Sequence, residues 1–375
     1  MYYNTLCCFP TEKALDRHEF EPYVHFEDYD NPIYIMYISA RCVCEQICGM
    51  LDAAEESMQL ARTAVGKMFH NHANPFVIWT YGFLSLYESG CGEITNARFY
   101  VELVRFHVEQ EPTDNMSPTN RQQLRLLKKL LGSVELSSLF DKEVLFSLKR
   151  WADTLEKLGV NFPKEFQALL HSDVDESNYK SIMRIIDMGV QIARSEVNHA
   201  TPQEIPLDDV YLTIYFNGLK IAILEKIGKD NDTLEKYALA VTSATEHKLF
   251  TFGPSHMVTF VSVAARAHLR IVKSIERGER ANPSSCFIDT PSGEQIPILV
   301  DYYEVLQKDY RALLLLSTKF KQVEKYQGLL LNEIELAIRS RTLYQLGQLQ
   351  RYNPIINPSV STMLSKHPSS YPNHH

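Results

Sequence analysis

Residues Ala73 to Gln110, ANPFVIWTYGFLSLYESGCGEITNARFYVELVRFHVEQ, place the tightest constraint on what this chain can fold into. Pro75 to Tyr87 is apolar almost all the way round, at Phe76, Val77, Ile78, Trp79, Tyr81, Phe83, Leu84, Leu86 and Tyr87. A helix that is apolar on every face has to be covered on every face. Ser89-Gly90-Cys91-Gly92 is expected to break it, and Glu93 to Gln110 resumes with a single stripe at Ile94, Ala97, Val101, Val104 and Val108. The pair reads as an inner helix folding back into a second one around a tight turn. It calls for a large helical array, not a small bundle.

Helical spacing recurs along the rest of the chain. Pro32 suits a first helical turn and opens Ile33 to Leu51; Asp52 to His70 follows. Further helices are expected at Ser117 to Leu131, Asp141 to Leu158, a short stretch ending at Leu170, and Tyr179 to Val197. Leu207 to Ile227 is again apolar nearly all round, and Asp232 to His247, Pro254 to Ile275, Ile298 to Lys319 and Lys321 to Leu349 complete the set. The fold class is therefore all-α, a large array of about a dozen helices with stacked helical hairpins. Trp79, Gly82, Ala97 and Phe99 sit roughly where a tetratricopeptide repeat wants them, but the pattern does not recur at the next repeat, so no regular repeat is read.

Three segments stand apart. Residues 1–30 read as a poorly ordered arm: they carry seven acids against Lys13 and Arg17, interleaved with Phe20, Tyr23, Phe26 and Tyr29. Such acidic-aromatic mixing suits either a solvated arm that packs its aromatics on the domain, the favoured reading, or a disordered activation segment that folds on a partner. Residues 279–297, ERANPSSCFIDTPSGEQIP, form a polar insertion in the 31–352 domain. Thr290-Pro291-Ser292-Gly293 has the residues of a turn and admits a small hairpin, but the composition favours a flexible insertion. The tail, 353–375, is rich in Pro, Ser, Asn and His and reads as disordered.

Composition narrows the function classes. A net charge of -8 argues against an autonomous nucleic-acid binder, whose affinity comes largely from phosphate contacts. No run approaches the roughly 18 to 20 apolar residues of a membrane span. The first residues lack the basic start and apolar run of a secretory signal. Seven cysteines, an odd number without framework spacing, suit a reducing compartment.

The candidate sites are sparse. Cys44 and Cys48, with Cys42 nearby, share a helix, but zinc needs four ligands or three plus water, so core packing is expected. His70 and His72 sit at a helix end, where an imidazole favours the dipole. Gly90-Cys91-Gly92 lacks the Gly-Lys-Ser/Thr of a phosphate loop and reads as a turn. Arg121 to Leu131 is a basic amphipathic helix, expected to be peripheral with its Lys and Arg face in water. No G-x-S-x-G, H-E-x-x-H or paired Cys-x-x-Cys occurs, and no catalytic, cofactor or metal site is expected.

One stretch carries a family likeness. Asn74 to Phe106 resembles the middle homology region of fungal-type zinc-cluster transcription factors, in which an apolar helix ends in a Leu-Tyr pair, turns at small residues and continues into an Ala-x-x-Tyr helix. The matching residues here are Leu84, Leu86, Tyr87, Gly90, Ala97 and Tyr100, with weaker likeness at Gly253 to Ile271 and Asp309 to Phe320. The resemblance implies an all-α regulatory domain, often dimeric, that senses a ligand or contacts transcription machinery. The family's basic six-cysteine zinc cluster is absent from this sequence, so no DNA-binding residue carries over. The expectation is a non-enzymatic, transcription-regulator-like domain acting through protein contacts or a small apolar ligand. A partner would supply the DNA contact, a homodimer is admitted, and the nucleus is the expected location ahead of the cytoplasm. The alternative is a helical-repeat interaction scaffold unrelated to transcription.

Overall fold

The computed structural model describes residues 28–71, 74–110, 172–198, 206–228, 231–289 and 295–352, with a few isolated residues between 127 and 169. The arm to residue 27, most of the basic helix at Arg121 to Leu131, the helices expected between Asp141 and Leu170, and the tail lie outside the described residues. Of that basic helix, Leu127 and Leu131 are buried.

Two asparagine-proline pairs start the first half. Asn31 accepts a hydrogen bond from the Ile33 N–H at 3.0 Å, and Asn74 accepts one from Phe76 at 2.9 Å. In each case the following proline occupies the first turn, where its missing N–H costs nothing. These caps open α1 (Pro32–Ile47) and α3 (Pro75–Cys91); α2 (Leu51–Lys67) lies between them, and α4 (Ile94–Gln110) follows. Gly49 and Gly92, with φ of 77° and 75°, make the left-handed turns after α1 and α3. Two expected boundaries shift as a result. The first helix ends at Ile47 rather than Leu51, because the αL turn at Gly49 redirects the chain into α2. The inner helix runs on through Ser89 and Gly90 and stops only at Gly92, because Gly90 is packed tightly against the Gln46 side chain on α1.

The second half comprises α5 (Tyr179–Asn198), α6 (Pro206–Ile227), α7 (Asn231–Thr245), α8 (Met257–Glu276), a hairpin of β1 (Ser284–Asp289) and β2 (Gln295–Val300), α9 (Tyr302–Ser317) and α10 (Gln322–Tyr352). The molecule is thus an all-α array, with ten α-helices among the described residues. Helices pack on their sequence neighbours and several on the next but one: α1 on α2 and α3, α6 on α7 and α8, α7 on α8 and α9, α8 on α9 and α10. This is the pattern of stacked helical hairpins.

The insertion is a correction to the sequence reading. Instead of a flexible segment, an antiparallel hairpin pairs Ser284 with Val300 through Asp289 with Gln295. Ile298 therefore sits in β2, and the helix expected to begin there begins at Tyr302. The physical reason lies at the base of the hairpin. Asn282 donates from Nδ2 to Asp301 at 3.1 Å and accepts the Tyr302 N–H at 2.9 Å. Asp301 in turn caps α9, accepting from Tyr303 N–H at 3.0 Å. The Arg341 guanidinium on α10 grips the same carboxylate with bonds of 2.6 and 2.8 Å. A segment anchored at its base by a helix cap and a bidentate ion pair does not need a core of its own.

Burial follows the periodicity. Every residue of α3 from Val77 to Gly90 is buried. On α6, Ile214, Phe216, Leu219 and Ile221 through Leu224 are likewise enclosed. Each fully buried large apolar side chain contributes about 1.5–3 kcal/mol of transfer free energy. These inner helices are held by tertiary burial more than by helix propensity. The buried side chains of both halves join in one continuous cluster.

Candidate functional site

Three arrangements of polar side chains interrupt this core. The first surrounds the α3–α4 hairpin that carries the family likeness, and each matched residue there has a packing role. Leu84 and Leu86 are buried. The Tyr87 hydroxyl donates to Glu55 on α2 at 2.8 Å, and burial, reinforced by that carboxylate, drives the phenol upward. The Gln46 amide donates to the Tyr87 carbonyl at 3.1 Å and lies so close to Gly90 that a Cβ there would fall 2.4 Å from its oxygen. Ser85 donates to the Ala97 carbonyl at 2.9 Å, joining α3 to α4, and the Tyr100 ring stacks on Tyr81 at 6.0 Å. Glu88, buried, pairs with Arg62 and accepts from Asn96 at 3.3 Å; burial raises its carboxyl above the ordinary range against the pull of Arg62.

The turn of this hairpin is clasped from outside. Lys325 Nζ and the Tyr326 hydroxyl, both on α10, each donate to the Gly92 carbonyl at 2.9 Å, and Lys325 also meets Glu93 at 3.0 Å. The α3–α4 turn is thereby a direct polar junction between the first four helices and the second half.

The second arrangement is a closed triangle joining α7, α8 and α9. Asp309 accepts from the Thr242 hydroxyl at 2.5 Å and lies 2.7 Å from His268 Nδ1; Thr242 Oγ1 stands 3.5 Å from the same nitrogen. His268 and Asp309 are 0% exposed. A hydroxyl nucleophile relay needs the hydroxyl and the carboxylate on opposite nitrogens of the imidazole. Here both face Nδ1, and solvent reaches neither His268 nor Asp309. The triangle fastens three helices and lacks the arrangement of such a relay. His268 and Asp309 fall in the two stretches of weaker family likeness. The only sequence signal for them was a polar residue in each of two otherwise apolar helix faces.

The third arrangement is a cleft of about 400 Å³ where the C-terminal end of α6 meets the start of α7 and the last turns of α8. Leu224, Leu234, Ala267 and Ile271 supply apolar walls, and Glu225, Asp232, Glu235, Arg270 and Arg280 supply charge. Arg280 is committed to the fold. It gives two bonds to Glu235 at 2.7 and 2.8 Å, one to Ser284 at 3.0 Å and one to the Tyr302 hydroxyl at 3.3 Å. Its guanidinium also lies 4.7 Å from the Tyr302 ring centre. Arg270, by contrast, is half exposed and pairs with Glu225. No sequence motif pointed to this cleft, because its residues come from four separate places in the chain.

The other sequence candidates stay apart. Cys42 and Cys44 are core residues; the Cys42 thiol donates to the Ala54 carbonyl at 3.2 Å, and burial pushes it upward, away from the reactive thiolate. Cys48 caps α1. His70 lies in a short 3₁₀ turn, Phe69–Asn71, and His72 is outside the described residues. Among the described residues no three His, Cys, Asp or Glu side chains converge to hold a metal. Nor, among them, is any helix long and apolar enough to cross a membrane. No family model, curated protein or solved structure matches this chain.

Proposed function

We propose that the chain is a transcription-regulator-like all-α domain that acts through protein contacts, with DNA contact supplied by a partner. The observation that supports this most is the α10 clasp on the Gly92 carbonyl, because it ties the family-like hairpin directly to the second half, the physical link that a regulatory coupling would use. A regulatory domain requires such a coupling element, whereas a passive spacer does not. The residues that would read DNA in the resembling family have no counterpart here, so the reading assigns this chain the regulatory part alone.

A second reading is favoured by a different observation. Packing of helices on their sequence neighbours, and of several on the next but one, is how helical-repeat scaffolds build extended binding surfaces. A pull-down of the tagged full-length chain from nuclear and cytosolic extracts, read by mass spectrometry, separates the two. The regulatory reading expects DNA-binding factors or coactivator subunits in the nuclear fraction. Recovery of cytosolic assembly components alone would overturn it in favour of the scaffold.

A further inference from the structure

Four cations recur along the outer face of α8 and its C-terminal cap, Arg266, Arg270, Lys273 and Arg277, at the spacing that keeps side chains on one helix face. Three of them have a carboxylate of their own. Arg270 pairs with Glu225 on α6, Lys273 with Glu333 on α10 at 2.5 Å, and Arg277 with Glu279 at 2.7 Å. Arg266 pairs with no carboxylate among the described residues. Yet the other three are exposed, and Arg266 is half-buried. This inverts what solvation favours, because a charge drawn out of water needs a counter-charge more than one left in it.

Arg266 reaches into the seam where α8 runs beside α10. Its Nε donates to the Ser262 carbonyl at 3.2 Å, and its Nη2 lies 3.4 Å from Gln327 Oε1 on α10, longer than a good hydrogen bond. Of the five N–H groups on a guanidinium three remain, and solvent reaches the Nη1 that carries two of them. Burial holds this guanidinium below the ordinary arginine range; Glu225 pulls it up, and Arg270 opposes that pull. Glu225 is already bonded to Arg270, so one carboxylate serves two guanidiniums and one positive charge is left over. Beside that charge the Gln327 amide, whose oxygen is turned toward Arg266, offers its NH2 as a further donor.

An excess of one positive charge calls for one negative charge. A carboxylate supplies it and matches the guanidinium fork with two parallel bonds, whereas a phosphate near pH 7 carries about two and overcompensates. We infer that the seam between α8 and α10 is a carboxylate-binding site, with Arg266 as its anchor and the Gln327 amide as second donor. The site does not depend on the transcription reading, and Arg266 stands outside the cleft walls formed by Ala267, Arg270 and Ile271.

The test uses the full-length chain at low salt and ligand-observed NMR titrations. The probes are butyrate, inorganic phosphate, and a blocked Leu-Glu-Leu peptide against its Leu-Gln-Leu counterpart. The expected result is saturable binding of butyrate or the glutamate peptide, of millimolar order, with phosphate and the glutamine peptide weaker. A glutamate peptide about tenfold tighter than butyrate identifies the carboxylate as a side chain of a protein partner; a peptide no tighter than butyrate identifies a free small acid. Arg266→Gln should weaken binding by about tenfold and Arg266→Lys by less, because lysine keeps the charge and loses the fork. Glu225→Gln should strengthen binding several-fold by removing the carboxylate that competes for Arg266. The melting temperature of Arg266→Gln is expected at or above the wild-type value, since what is removed is a half-buried charge without a carboxylate partner. No saturable binding of either carboxylate at tens of millimolar overturns the inference. So does binding that Arg266→Gln leaves unaltered, or phosphate bound more tightly than butyrate.

Discussion

At the scale of single residues the polar groups inside this array act as fasteners, and their strength depends on burial. Asp309 is the strongest case. It is closed to solvent and anchors both Thr242 and His268, so Asp309→Ala takes the close partner from the buried His268 Nδ1 and leaves the Thr242 hydroxyl only the Ala238 carbonyl at 3.2 Å. That change is expected to cost about 2–4 kcal/mol, read as a lower urea midpoint at an unchanged m-value. Asp301 is the contrasting case, since about a third of its side chain reaches water. The Arg341 guanidinium holds its carboxyl down at about 2. A carboxylate whose folded value lies below its unfolded value of about 3.9 stabilises the fold above that pH and stops doing so as pH falls toward about 2. Asp301→Asn keeps the helix cap, since asparagine caps as well as aspartate, and removes the charge together with one of the two oxygens that Arg341 grips. Solvent screening limits the expected loss to about 1 kcal/mol at pH 7. Urea titrations across acid pH check the sign: the gap between wild type and variant narrows between pH of about 4 and about 2.

At the scale of elements, glycines report how closely helices approach. Gly218 in α6 faces Phe260 on α8, and a Cβ there would lie 2.6 Å from the Phe260 Cβ and ring. Gly328 in α10 has nothing within 4 Å of the same added atom. Both are helical, so propensity alone favours alanine by about 1 kcal/mol at each. Gly218→Ala is nevertheless expected to destabilise by about 1–3 kcal/mol, because the two backbones have to part. Gly328→Ala should stabilise by about 0.5–1 kcal/mol. Thermal melts of the two variants, moving in opposite directions, are the check. This contrast also shows what could be read from the sequence. The all-round apolar segments at Pro75 to Tyr87 and Leu207 to Ile227 were legible as inner helices, because their periodicity is set by burial. The hairpin at 284–300 was not legible, because what orders it is a set of contacts from Asn282, Asp301 and Arg341, which come together only in three dimensions. The cleft was illegible for the same reason: Glu225, Asp232, Arg270 and Arg280 have no common spacing that a motif would record.

At the scale of the molecule the question is whether the two halves behave as one cooperative unit. They share a continuous core, and a direct polar link runs through the α3–α4 turn, where Lys325 and Tyr326 hold the Gly92 carbonyl and Lys325 also meets Glu93. A carbonyl with two donors on it is fully satisfied, and removing both leaves an acceptor short of partners beside an outer helix. The double variant Lys325→Met and Tyr326→Phe keeps the length of both side chains and takes away every donor. One charged and one neutral hydrogen bond of this kind are worth about 1–3 kcal/mol together. If the clasp carries the coupling, its loss shows less in total stability than in cooperativity. Trp79 on α3 reports the first half by fluorescence once Trp151 is replaced by phenylalanine, while helical circular dichroism reports both halves. The two denaturation curves are expected to coincide in the otherwise wild-type chain and to separate in the double variant, with the Trp79 transition at lower denaturant. Coincident curves in both proteins would place the coupling in the shared apolar core. The regulatory reading would then lose the feature that supports it most.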